Sequence, residues 1–170
     1  MTALVRYTIR AAAARRRSPA AILRWANEVM LAESSTRFCT VAIAHLDRSG
    51  GAARLTTAVG GHPAPLLTRV DGGVEEIPVE GTLLGLVDDP RLTDVTIDLQ
   101  PGETILLYTD GVTEAAAPHR VWAPEDLIAV AARGPGGSAQ DLVDHIAAAA
   151  RSGLTAPPRD DIAMLALRLG

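Results

Sequence analysis

One cysteine, one phenylalanine and not a single lysine are what this 170-residue chain has in place of a fuller chemical repertoire. A lone Cys39 forms no internal disulfide and supplies no thiolate cluster for zinc or an iron–sulfur group. Aromatic residues make up 3% of the chain (Tyr7, Trp25, Phe38, Tyr108 and Trp122). So few rings do not build stacking platforms for bases, and the core must be filled with Leu, Val, Ile and Ala. No apolar run approaches the roughly 18 to 20 residues that span a bilayer, and no signal-peptide core precedes a small-residue cleavage site. Acidic residues are missing before Glu28, where six of the sixteen basic residues, all Arg, are found. The remainder carries ten Arg against twenty acids, a balance that suits divalent cations and disfavours nucleic acid. A transit peptide or membrane-surface helix shares such an Arg-rich start, but a basic helix capping an acidic domain accounts for the same residues.

What is present is apolar: 48% of residues are hydrophobic and the mean hydropathy is +0.17. That is enough to bury a continuous core, so disorder is excluded and residues 1–170 read as a single domain, with the cytoplasm the default compartment. Thr2 to Ala14 is Ala-rich without Gly or Pro and predicts a helix. Ser18 as N-cap and Pro19 at the first helical position predict a second, whose apolar face carries Ile22, Leu23, Ala26, Met30 and Leu31. The period then becomes strand-like. Phe38–Leu46 and Ala53–Val59 flank the turn 47–51, Pro65–Val70 and Val74–Ile77 flank Asp71-Gly72-Gly73, and further strands are expected at Thr93–Leu99 and Thr104–Thr109. Two helices follow, one after Ala123-Pro124 and one from Ser138. Arg151–Arg159 reads as a loop, and Ile162–Leu169 closes the chain as a strand. Helices, strands, helices and one last strand describe an α+β layered domain with antiparallel pairing.

Two places set acidic side chains at the end of an apolar strand: Tyr108-Thr109-Asp110-Gly111 and Arg159-Asp160-Asp161-Ile162. If these strands are antiparallel neighbours, Asp110 and Asp160 converge, and Gly111 keeps the backbone open to a close ligand. Converging carboxylates repel unless a cation sits between them, and an all-oxygen set selects Mg²⁺ or Mn²⁺. The plainer reading is that Asp110-Gly111 is a turn and Asp160 caps a loop. His62 offers a neutral imidazole that could protonate a leaving oxygen, but Gly60-Gly61-His62-Pro63 reads more as a turn in which the ring bonds backbone. Arg159 offers a guanidinium to a phosphate or pairs with the carboxylate beside it. His45, His119 and His145 fall on a strand, a loop and a helix with no shared pattern, and Cys39 reads as a core residue.

Several stretches occur together in an order that resembles the metal-dependent protein phosphatase (PPM) family, in its bacterial SpoIIE/RsbU branch. They are Arg37-Phe38-Cys39-Thr40 leading to Leu46-Asp47, then Gly61-His62-Pro63-Ala64-Pro65-Leu66, then Leu84-Gly85. Leu107-Tyr108-Thr109-Asp110-Gly111-Val112-Thr113-Glu114-Ala115 and Asp160-Asp161-Ile162-Ala163-Met164-Leu165-Ala166-Leu167 complete the series. The resemblance implies an αββα sandwich of antiparallel sheets flanked by helices. It also implies two Mn²⁺ or Mg²⁺ ions that activate water against a phosphoserine or phosphothreonine without a covalent intermediate. By motif match Asp110 and Asp160 would be metal ligands and Asp161 a supporting or weaker ligand.

The resemblance departs at the front, where the family carries Gly-Gly-Asp-Phe-Tyr-Asp-like and Gly-Asp-Val-x-Gly-x-Gly-like segments that supply further ligands. Neither is found here, so Met1 is expected to fall inside the helix that follows them, with the first strands of the fold lacking and a sheet edge left open to homodimerisation. The implied substrate is a phosphorylated anti-sigma-factor antagonist in bacterial signalling. The rival expectation is a non-catalytic regulatory module that keeps the fold and binds a protein partner.

Overall fold

The computed structural model describes residues 2–15, 17–33, 37–50, 52–152, 154, 157 and 160–170. The chain folds as two compact units, one of residues 1–64 and 78–99 and the other of residues 65–77 and 100–170. Each has its own antiparallel sheet and its own helices.

In the first unit, helix α1 (Thr2–Ala13) and helix α2 (Pro19–Ala32) are separated by the short turn that the sequence predicts. Ser18 Oγ accepts from Ala21 N at 3.0 Å, which satisfies one of the free N–H groups of the first turn of α2. A second is taken by Asp94 Oδ1, 2.7 Å from Ala20 N. The sheet has the order β1 (Val41–Asp47), β2 (Ala53–Gly60), β5 (Val95–Leu99). Leu23, Ala26, Met30, Ala58, Leu84 and Leu92 form its core, with Val5 of α1 and the partly buried Val41 and Ile43 packed in.

Asn27 is fully buried at the centre of this packing. Its Nδ2 donates to the Val87 carbonyl at 2.9 Å and its Oδ1 accepts from Gly85 N at 2.8 Å. The side chain thereby pins the loop after Gly81 onto α2. Gly85 sits at φ +87°, and a Cβ there would meet Met30 Cε at 2.7 Å and the Arg37 carbonyl at 2.8 Å, so only glycine fits.

In the second unit the sheet order is β4 (Val74–Glu76), β3 (Leu66–Thr68), β6 (Thr104–Tyr108), β7 (Met164–Arg168). Helices α4 (Pro124–Ala132) and α5 (Ala139–Arg151) bury Leu127, Ala131, Leu142, Ile146 and Ala150 against Leu66, Leu106 and Tyr108. Ser138 and Asp141 cap α5 reciprocally, with Ser138 N donating to Asp141 Oδ2 at 2.7 Å and Asp141 N to Ser138 Oγ at 3.2 Å. The carboxylate accepts from the Ser138 backbone N–H and also from the Ser138 hydroxyl at 2.8 Å, and these two bonds, backbone first, lower the Asp141 pKa. Among the described residues, no helix is long and apolar enough to cross a membrane.

The strands and helices fall where the sequence places them, with ends that the tertiary contacts trim. Phe38 is 58% exposed and outside the ladder, and β1 starts at Val41, because Cys39 instead pairs with Leu84 through bonds of 3.1 and 3.2 Å. β5 starts at Val95 rather than Thr93, since Asp94 serves the start of α2. β3 and β4 are shorter than predicted, although Arg69 N still bonds the Gly73 carbonyl at 2.7 Å and Ile77 N the Pro65 carbonyl at 2.9 Å, and the Arg69 side chain pairs with Glu75 at 2.7 Å and buried Glu103 at 3.1 Å. The turn expected at Asp110-Gly111 is a single helical turn, α3 (Asp110–Thr113).

Replacing Asn27 with Leu strands the buried Gly85 N–H and is expected to cost about 2 kcal/mol. Urea unfolding checks this; an unchanged midpoint would show that the loop holds without the latch.

Candidate metal centre

β6 and β7 are antiparallel neighbours with Tyr108 opposite Met164 and Leu106 opposite Ala166. This register carries the end of one strand to the start of the other, so Asp110-Gly111 and Asp160-Asp161 meet at one end of the same sheet. Thr109 joins them. Its N–H donates to the Ala163 carbonyl at 3.0 Å, and its hydroxyl donates to the Asp161 carbonyl at 2.9 Å and accepts from Ala163 N at 3.0 Å. A side chain thus replaces a ladder rung, which is why β7 starts at Met164 and not at Ile162.

Gly111 is where the two motifs approach most closely. A Cβ built there would lie 2.4 Å from the Asp161 carbonyl oxygen and 2.9 Å from its carbon, both backbone atoms. No other residue lets α3 start this close to the chain leading into β7. Gly111 and Val112 are buried beneath the turn, while Asp110, Asp160 and Asp161 are exposed. Thr113 holds the turn from the other side by donating its hydroxyl to the Asp110 carbonyl at 2.9 Å.

Both carboxylates are oriented by their own backbone. Asp110 Oδ1 accepts from Gly111 N at 3.0 Å, and Asp160 Oδ1 accepts from Asp161 N at 2.7 Å. Among the described residues, the second oxygen of each has no hydrogen-bond partner. Two exposed carboxylates offering hard oxygen donors fit a divalent cation that retains most of its water, as Mg²⁺ does. They do not form a closed cage: among the described residues, no group of three or more His, Cys, Asp or Glu side chains could hold an ion.

The other expected site residues are placed differently. His62 belongs to the first unit, and its Nδ1 donates to the neighbouring Pro63 carbonyl at 3.2 Å, the turn-type bond anticipated for it. Arg159 lies outside the described residues. His145 donates Nε2 to the Val130 carbonyl at 3.0 Å between α5 and α4. Cys39 is half-buried, and burial raises its thiol pKa, so it is no thiolate. Tyr108, next to the candidate centre in sequence, has its hydroxyl pKa pushed up to about 12, by burial first and by the Glu76 carboxylate second. It stays protonated across the physiological range. The residue that motif reading quoted without giving it a role is Thr109, and its signal was a hydroxyl at a strand exit immediately before Asp-Gly.

Two helix-covered antiparallel sheets with paired Asp motifs at one sheet end define a PPM-type phosphatase fold. The family model for Stage II sporulation protein E (SpoIIE) matches residues 1–170, and the chain belongs to that family. No curated protein matches it in sequence. Among solved structures, it is similar to the SiaA-PP2C domain of Pseudomonas aeruginosa, with a TM-score of 0.82 and 22% identity, covering 99% of this chain and 68% of that one. The RsbU and RsbW domains of a Mycobacterium tuberculosis protein superpose with a TM-score of 0.77 at 22% identity over 96% of this chain, which spans 45% of theirs. RsbX in complex with magnesium gives a TM-score of 0.68 at 18% identity, covering 99% of this chain and 72% of its own.

Gly111→Ala forces Asp161 away from α3 and is expected to destabilise the second unit by roughly 1–3 kcal/mol. Thermal unfolding checks it, and a wild-type midpoint would show that the two Asp motifs are not packed as described.

Proposed function

We propose that this chain is a cytoplasmic, metal-dependent serine/threonine protein phosphatase. The observation that carries the reading is the close approach of Gly111 to the Asp161 carbonyl, which brings two oriented carboxylates to one sheet end. A divalent ion, Mg²⁺ or Mn²⁺, supplies when bound an acidified water and neutralisation of phosphoryl charge. Asp110 and Asp160 would hold it through the oxygens that their backbones leave free, with Asp161 in support. Thr109 fixes the spacing between the two motifs, and Gly111 keeps the approach open. The exposed position of the acids lets a phosphorylated side chain on a protein surface reach them. Protonated Tyr108 neither draws off nor supplies a proton.

The substrate class that the SpoIIE/RsbU resemblance implies is a phosphorylated anti-sigma-factor antagonist. His62 and Arg159 remain candidates for meeting the phosphate. A second reading, a regulatory module that binds a protein partner without turnover, is favoured by the lack, among the described residues, of any group of three or more His, Cys, Asp or Glu side chains that could hold an ion.

Mn²⁺-dependent hydrolysis of a phosphoserine protein separates the two readings. Asp110→Asn is expected to lower the rate by roughly 100-fold or more, at or beyond the upper end of what losing an outer partner of a ligand costs. The same variant should weaken the Mn²⁺ isotherm. A folded, inactive wild-type chain would support the binding module, and an active Asp110→Asn variant would remove this residue from the site.

A further inference from the structure

The sheet of the second unit sets Thr68 of β3 opposite Thr104 of β6, and Thr104 opposite Arg168 of β7. Two rungs along, the same ladder aligns Leu66, Leu106 and Ala166, which pack beneath α4 and α5. Side chains alternate along a strand, so Thr68, Thr104 and Arg168 form a row on that same helix-covered face. The row lies at the far end of β6 from the candidate metal centre, roughly 14 Å along the strand from Tyr108. Gly134, Gly136 and Ser138, in the connection from α4 to α5, close the other side of a cavity of about 140 Å³ over this row.

The chemistry of this cavity points to an anion. Thr68 Oγ1 is buried and, among the described residues, bonds nothing. A buried hydroxyl left in that state is costly, and a bound oxygen removes the cost. Arg168, an exposed residue, has no carboxylate partner among the described residues, and its Nη1 donates to Thr104 Oγ1 at 3.5 Å, the outer limit of a hydrogen bond. The lining contains two Arg and no Asp or Glu. The other cation, Arg69, is already matched by Glu75 and Glu103, which leaves Arg168 as the charge without a partner. The start of α5 is not the attraction, because Asp141 already takes the Ser138 N–H and hydroxyl. A water molecule would satisfy the Thr68 hydroxyl, but a guanidinium in the same row favours an oxygen that carries charge.

We propose that this cavity binds a small oxyanion of the phosphate kind, with one oxygen accepting from the Thr68 hydroxyl and another from the Arg168 guanidinium. Neighbouring strands lie about 4.8 Å apart, so an anion seated over Thr104 touches both flanking residues of the row. Size limits the ligand as well. A cavity of roughly 150 Å³ admits a six-carbon ring, so this one takes phosphate and is too small for a nucleotide.

Titration calorimetry of the chain with inorganic phosphate, in EDTA and at an ionic strength held constant with sodium chloride, tests the proposal. EDTA leaves Asp110 and Asp160 no cation through which to hold phosphate, so the result is independent of whether the chain is a phosphatase. Saturable binding is expected, and Thr68→Val and Arg168→Gln should each weaken it about tenfold or more. Thr68→Val deletes a hydroxyl that bonds nothing else among the described residues, and circular dichroism should show the fold retained. Should that variant unfold, Arg168→Gln, at an exposed side chain, still decides. No phosphate binding by the wild-type chain, or a Kd that either folded variant leaves unaltered, would overturn the assignment.

Discussion

The feature on which the candidate site depends is the contact between a backbone without a Cβ and a carbonyl oxygen. Gly111 lets the first turn of α3 come down on the Asp161 peptide, and any side chain there would collide at 2.4 Å. Thr109 completes the junction from the neighbouring position with bonds of 2.9 and 3.0 Å to the same stretch of chain. Two acidic motifs that are fifty residues apart in sequence therefore share one end of one sheet. Their mutual repulsion is tolerated because the carboxylates are solvent-exposed and each is partly neutralised by a backbone N–H.

That junction rests on a core made almost without rings. In the second unit Tyr108 and Trp122 are the buried aromatics, and Leu and Ala from α4 and α5 fill the rest. Small side chains let helices lie close on a sheet, at the cost of making each buried group matter individually. In the first unit one polar side chain, Asn27, does what a ring does not: it organises a loop by bonding two of its backbone groups from inside the core.

Family membership and fold agree with the motif order, while the ligand set seen among the described residues is sparser than two ions use. The acids precede β7, the strand itself carries the exposed Leu165 and Leu167, and it ends at Arg168.

The elements were legible because local signals mark them: Ser18-Pro19 and Ser138 at helix starts, Pro101-Gly102 before β6, and apolar runs for β2, β6 and β7. Strand ends were not, since Cys39, Asp94 and Ala163 take partners far away in sequence. Asp110, Asp160 and Gly111 could be picked out from residue type and motif order alone. The sequence determined which atoms would be on offer: hard oxygens, no thiolate cluster, few rings. Only the tertiary structure decided the spacing, through the β6–β7 register and the Thr109 and Gly111 contacts, because distances between non-local segments are fixed by packing and hydrogen bonds that no local propensity encodes.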